Sequence, residues 1–186
     1  MSNIQVKGTG LISTRTYIKT KYPDKAELWL KELPSEANIY YSGIIPTTSW
    51  FPIKEAYFYP LKTTADMFFD GDLKAAALDI GKFSADYGLK GVYKVFLMIA
   101  TPQALMRASK RIISLYYKGV EVDIFDIKKK TLTLSATQVC VASTDMDYRT
   151  VGWCVRALEL ANCKNVQYEM IPARDTFKFA VRLFWD

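Results

Sequence analysis

The sequence predicts an α+β fold in which an N-terminal helical half packs on a C-terminal ββαββ unit, a four-stranded antiparallel sheet crossed by one helix. Three observations predict it. Apolar residues recur at spacings of three and four through the first two-thirds of the chain, alternation of period two takes over from Val120, and one more helical stretch separates two pairs of extended segments. One helix packed on one sheet, with the earlier helices around it, is the economical way to bury such faces. At 186 residues, half of them apolar, the chain can bury its core as a single domain, with a mainly helical part at 1–118 and the sheet part at 119–186.

Taken in order, a short extended start from Ile4 to Lys7 leads through Gly8 and Gly10 to helical patterns at Leu11 to Lys21 and Asp24 to Leu33, punctuated by Pro23 and Pro34. Pro52 suits the first turn of a helix, and from there Ile53, Ala56, Tyr57, Pro60, Leu61, Thr64, Met67 and Phe68 form one stripe. Pro60 is expected to kink or interrupt that helix. Phe58 and Tyr59 fall off the stripe, so they either pack against a second layer or form an interaction surface. A helix over Leu73 to Tyr87 carries Ala76, Ala77, Ile80, Phe83 and Ser84 on one face, with small residues that permit close approach of another helix. Residues 91–100 are apolar and short, and fit helix or strand equally.

Thr101-Pro102 is a cap followed by a first-turn proline and starts a helix to about Lys118, which Gly119 ends. Val120, Val122 and Ile124 then alternate, as do Leu132 and Leu134 after the lysine turn at Lys128 to Lys130, in the manner of a hairpin. A helix from Asp147 to Asn162 presents Val151, Cys154, Val155, Leu158 and Ala161, and extended segments at Val166 to Ile171 and Phe177 to Phe184 close the chain.

Composition excludes several chemistries. The chain has no histidine, which removes Ser-His-Asp and Cys-His catalysis, the usual zinc and non-haem iron sites, and the proximal imidazole of globin-like haem. Cys140, Cys154 and Cys163 form no Cys-x-x-Cys pair, so neither a zinc knuckle nor a disulfide framework is signalled. The expectation is therefore no metal and no cofactor, haem through histidine being excluded, and no catalytic residue. Asp145 and Asp147 could work as a carboxylate pair, but capping of the helix that follows is the simpler role. A net charge of +6 is too small to name an acidic partner, and Arg107, Lys110, Arg111 and Lys118 read as a solvated helix face, so nucleic acid is not the expected partner. The apolar runs fall far short of the roughly 20 residues that span a bilayer, and a soluble, cytoplasmic protein is expected.

Four strings, Val6-Lys7-Gly8, Ser49-Trp50-Phe51-Pro52, Gly81-Lys82-Phe83-Ser84 and Gly91-Val92-Tyr93, give the chain a further character through their order. Over nearly its whole length it resembles a family of uncharacterised bacterial domains best known from myxobacteria. That family is similar to the wider group of haem–nitric-oxide sensors, 4-vinyl reductase-type ligand domains and small subunits of the TRAPP vesicle-tethering complex. The resemblance implies a helical half and an antiparallel sheet half around a cavity for a small apolar molecule, and a homodimer through the helical half. Two departures stand beside it: the haem sensors use an axial histidine, and 4-vinyl reductase-type domains often carry a cysteine cluster where residues 170–179 have none.

The expected function is a non-enzymatic ligand-binding or sensor domain. Trp50, Tyr57, Tyr93 and Trp153 are the aromatics expected to line the cavity, because pockets are built from aromatics with few polar groups. For Cys154 the TRAPP likeness implies an acylatable or cavity-lining thiol, against the simpler reading of a packed core residue. Two alternatives remain open: a fully packed, dimeric scaffold that binds a protein partner through Phe58 and Tyr59, and an enzyme built on carboxylates and tyrosines.

Overall fold

The computed structural model describes residues 4–89, 101–136, 143–173 and 178–186. The chain opens with β1 (Gln5–Lys7), which is the middle strand of a small antiparallel sheet between β2 (Trp50–Pro52) and β3 (Tyr117–Lys118). Val6 lies opposite both Phe51 and Tyr117, so this sheet joins three segments far apart in sequence. Around it run α1 (Gly8–Lys21), a 3₁₀ turn (Pro23–Lys25), α2 (Ala26–Glu32) and α3 (Ser35–Tyr41). After β2 come a π-helical turn (Lys54–Phe58), α4 (Tyr59–Phe68), α5 (Leu73–Leu89) and α6 (Pro102–Tyr116). The second half holds β4 (Val122–Phe125), β5 (Thr131–Ala136), α7 (Asp147–Leu160), β6 (Gln167–Ile171) and β7 (Phe179–Phe184).

The four later strands form one antiparallel sheet in the order β4-β5-β7-β6, as the period-two alternation predicts. Leu132 faces Leu183 and Leu134 faces Val181, placing these four side chains on one side of the sheet. They are buried with Val151, Cys154, Val155 and Leu158 of α7. The helical half has its own core, built on Leu11, Tyr17, Trp29, Tyr41, Leu61 and Ile80. Helix α5 serves both, contributing Ala76, Ala77 and Ile80 to the first core and Ala85 and Leu89 to the second. The fold class is α+β. No helix among the described residues is long and apolar enough to cross a membrane.

Three local expectations are corrected, each for a physical reason. Pro52 does not begin a helix; it closes β2 opposite Gln5, and helical geometry starts at Ile53. Pro60 has no N–H to give to the Ala56 carbonyl. The Tyr41 hydroxyl donates to that carbonyl instead, at 2.9 Å, and the turn before Pro60 widens so that the Tyr59 N–H reaches Lys54. Helix α6 stops at Tyr116 rather than Lys118 because Tyr117 and Lys118 leave it to pair with β1. Helix α3 falls in a stretch to which the sequence reading assigns no helix. The aspartates before α7 do not cap it by side-chain hydrogen bonds; Ser143 accepts from the Asp145 N–H at 3.1 Å and caps the short 3₁₀ turn ahead of it (Thr144–Met146). The helix-or-strand segment 91–100 lies outside the described residues.

Helices α5 and α7 cross at glycines. A Cβ on Gly152 would lie 3.0 Å from the carbonyl carbon and Cα of Leu78 and closer still to its oxygen, and one on Gly81 would meet the backbone of Arg149 and Trp153 in the same way. This close approach is what carries the first turn of α7 in against α1 and α5.

Candidate ligand site around Arg149

A cavity of about 150 Å³ opens where α1, α5, α6 and α7 converge. Helix α1 contributes Thr9, Gly10 and Ser13; α5 contributes Ser84, Tyr87 and Gly88. Ile112, Ile113 and Tyr116 come from α6, and Arg149, Thr150 and Trp153 from α7, with Tyr57 and Tyr117 completing the wall. Gly10 is required here, because any side chain would strike the Tyr57 hydroxyl. A second, smaller cavity of about 50 Å³ lies on the sheet side of Arg149 and is bordered by Asp147, Ile113 and Phe179.

Arg149 is the unusual residue. Its side chain is only 5 % exposed, yet no carboxylate pairs with it among the described residues. Nη2 donates to Thr14 Oγ1 at 2.8 Å and to Ser84 Oγ at 3.5 Å, and the guanidinium carbon sits 3.9 Å from the centre of the Tyr57 ring. Nε and Nη1 donate to nothing among the described residues. Thr14 in turn donates to the Gly10 carbonyl at 3.1 Å, and Ser13 donates to Ser84 at 3.1 Å. Removing a cation from water costs several kcal/mol even after relaxation. Two hydroxyls and an aromatic face offset part of this.

The neighbouring acids do not supply the missing negative charge. Burial pushes the Tyr41 and Tyr57 phenols above their ordinary value; the positive charge of Arg149 pulls both back, as does a hydrogen bond with Tyr117 for Tyr57, but burial dominates and both stay protonated. Burial, assisted by nearby Asp145, pushes Asp147 up to about 7. A carboxylate paired with Arg149 would be held down instead.

Of the residues the sequence singles out, Tyr57 and Trp153 line the cavity. Trp50 does not: it lies on β2 with the ammonium groups of Lys7 and Lys118 at 5.9 and 5.4 Å from its ring centre. Cys154 points into the sheet-side core, fully buried, its thiol pushed up to about 12 by burial. Phe58 and Tyr59 are half-buried and pack against the helical core, which is the second-layer alternative rather than an open surface. Tyr93 lies outside the described residues, and no cluster of metal-ligating side chains occurs among those described. On the basic face of α6, Lys110 pairs with Asp123 at 3.6 Å. Arg149 is a site residue that the sequence alone does not single out. Its signal is the spacing Arg149, Gly152, Trp153, Arg156, a helix face with a glycine at its centre that differs from the apolar face beside it.

No family model matches the sequence, and no curated protein matches it. Solved structures do. An H-NOX protein from K. algicida, Fe(II) and unliganded, aligns over 97 % of this chain and 96 % of its own with a TM-score of 0.68 at 11 % identity. An H-NOX protein from S. oneidensis in the Fe(II)NO state aligns over 97 % and 98 % with a TM-score of 0.70 at 10 % identity. The fold is H-NOX-like. A third match, from work on modulating haem redox potential through protein-induced porphyrin distortion, covers 96 % of this chain and 99 % of its own with a TM-score of 0.70 at 10 % identity.

These neighbours correct the expectation of no cofactor, with haem through histidine excluded: they are iron and haem proteins, and they align with almost the whole of this chain. Tyrosine is an alternative haem ligand, and Tyr57, Tyr116 and Tyr117 line the cavity. The space itself is another matter: about 150 Å³ suits a group of benzene's size, and the described cavity does not fit a porphyrin.

Proposed function

We propose that the chain is a non-enzymatic ligand-binding domain of H-NOX-like fold that takes a small organic molecule into the cavity between α1, α5, α6 and α7. The observation that carries this reading is a cavity of about 150 Å³ with a buried guanidinium on its wall that has no acidic partner among the described residues. The haem and NO chemistry of the H-NOX neighbours supports a sensor role at the level of the fold. Occupancy would favour one arrangement of α5, α6 and α7 over another and so change the outer surface of α6, which is how a ligand shifts a population.

Native and denaturing mass spectrometry of the protein from its own host, with an absorption spectrum of the same sample, test the reading. The expected result is a small extra mass that disappears on denaturation. A bare chain in repeated preparations would move the weight to the packed scaffold, and mass that survives denaturation would point to covalent modification. A porphyrin absorption band would identify a tetrapyrrole. The native spectrum also reports whether the chain forms the homodimer that the family resemblance implies.

A further inference from the structure

Resting on the ligand-binding reading, we infer that the cavity selects a small organic anion, a carboxylate on a ring-sized apolar body, and that Arg149 is the residue that receives the carboxylate. The guanidinium is buried and has no acidic partner among the described residues, and two of its three nitrogens, Nε and Nη1, have no acceptor there. One edge of the fork is held by Thr14 and Ser84, and its plane is held over Tyr57. Nη2 belongs to both bidentate edges of a guanidinium and is already engaged, so a carboxylate would be received through single charge-assisted hydrogen bonds from Nε or Nη1, held in place before the acceptor arrives. The charge it lacks is the charge a carboxylate brings.

Size and wall chemistry narrow the class. About 150 Å³ is the volume that takes a benzene ring. Ile112, Ile113 and Trp153 line the same space and suit the flat faces and edges of such a ring, while Thr9 and Ser13 add hydroxyls. Among the described residues no lysine borders the cavity, so a phosphate dianion would find a single cation there, whereas a monoanionic carboxylate is matched one to one. Asp147, on the sheet side of Arg149, borders the smaller cavity, and no acidic residue among those described borders the larger one.

The test uses the full chain at pH 7 with two isosteric probes, benzoate and neutral benzamide, titrated by calorimetry to 10 mM or so, the weak range for probes this small. Benzoate should bind about tenfold more tightly than benzamide, and R149M should remove that preference, bringing the two within about threefold by lowering benzoate affinity. If R149M does not fold, R149Q decides: it removes the charge and keeps an N–H donor, so benzoate should weaken by about fivefold or more while benzamide is unchanged. Equal binding of both probes to the parent chain, or benzoate affinity that survives in the variants, overturns the anion inference and leaves the ligand-binding reading intact. If neither probe binds the parent chain, the anion inference fails, and the ligand-binding reading is decided by the mass spectra.

Discussion

Gly152→Ala should destabilise the protein although alanine is the better helix former. The new Cβ would lie 3.0 Å from two backbone carbons of Leu78. Ordinary carbon contacts sit at about 3.5–4.0 Å, so α5 and α7 must separate by roughly 0.5–1 Å. Backbone cannot swing aside as a side chain tip can. A gap of that size forfeits a quarter to a half of each contact along the seam. It also stretches the paired hydrogen bonds of Arg156 to Asp86, at 3.1 Å, and the reach of Arg149 to Thr14. Overpacking of this kind costs up to about 3 kcal/mol, against about 1 kcal/mol regained in helix propensity. The net is a loss of roughly 2 kcal/mol, or a melting midpoint lowered by about 4–8 °C for a chain of this length. Thermal unfolding followed by circular dichroism measures it, with Gly43→Ala as the control because a Cβ there meets open space. An unchanged or raised midpoint for Gly152→Ala, or an equal loss for the control, would refute the close-approach argument.

Two further outcomes follow from buried polar groups. The Asp147 carboxyl holds its proton to about 7 in the folded chain against an ordinary 3.8, so its contribution to stability is intact at low pH and lost as pH rises through about 7. Asp147→Asn should therefore add about 2–4 kcal/mol at pH 8 and nothing near pH 3, read from urea midpoints across pH; a parallel pH profile for the two proteins would show the carboxyl to be unperturbed. Tyr41→Phe takes away the hydroxyl that serves the Ala56 carbonyl, which Pro60 cannot serve, and should cost about 1–3 kcal/mol in the same assay. An unchanged midpoint would mean that the widened turn satisfies its own backbone.

Much of the fold was legible because it rests on period and punctuation. The switch from helical spacing to alternation at Val120 marks the sheet half, and Thr101-Pro102 marks the start of α6, where Thr101 accepts from the Ala104 N–H at 3.2 Å. What local pattern cannot show is pairing at a distance. Residues 50–52 and 117–118 become strands only because Val6 arrives between them. The site was legible in part. Aromatic content drew attention to Tyr57 and Trp153, but it drew equal attention to Trp50, which two lysines cover. Arg149 resembled any other cation near a helix start, and only the crossing of α5 over α7 at two glycines turns it inward.

The hydrogen bond from Arg149 to Thr14 spans 135 residues of chain, and the small sheet waits for Lys118 before its third strand exists. During synthesis, then, the first hundred residues can form helices but not the chamber they enclose. Contacts of such long separation are slow to close because the loop entropy must be met first. The chamber is among the last parts of the molecule to be completed, so a ligand of the proposed kind would meet the finished protein rather than template its early folding.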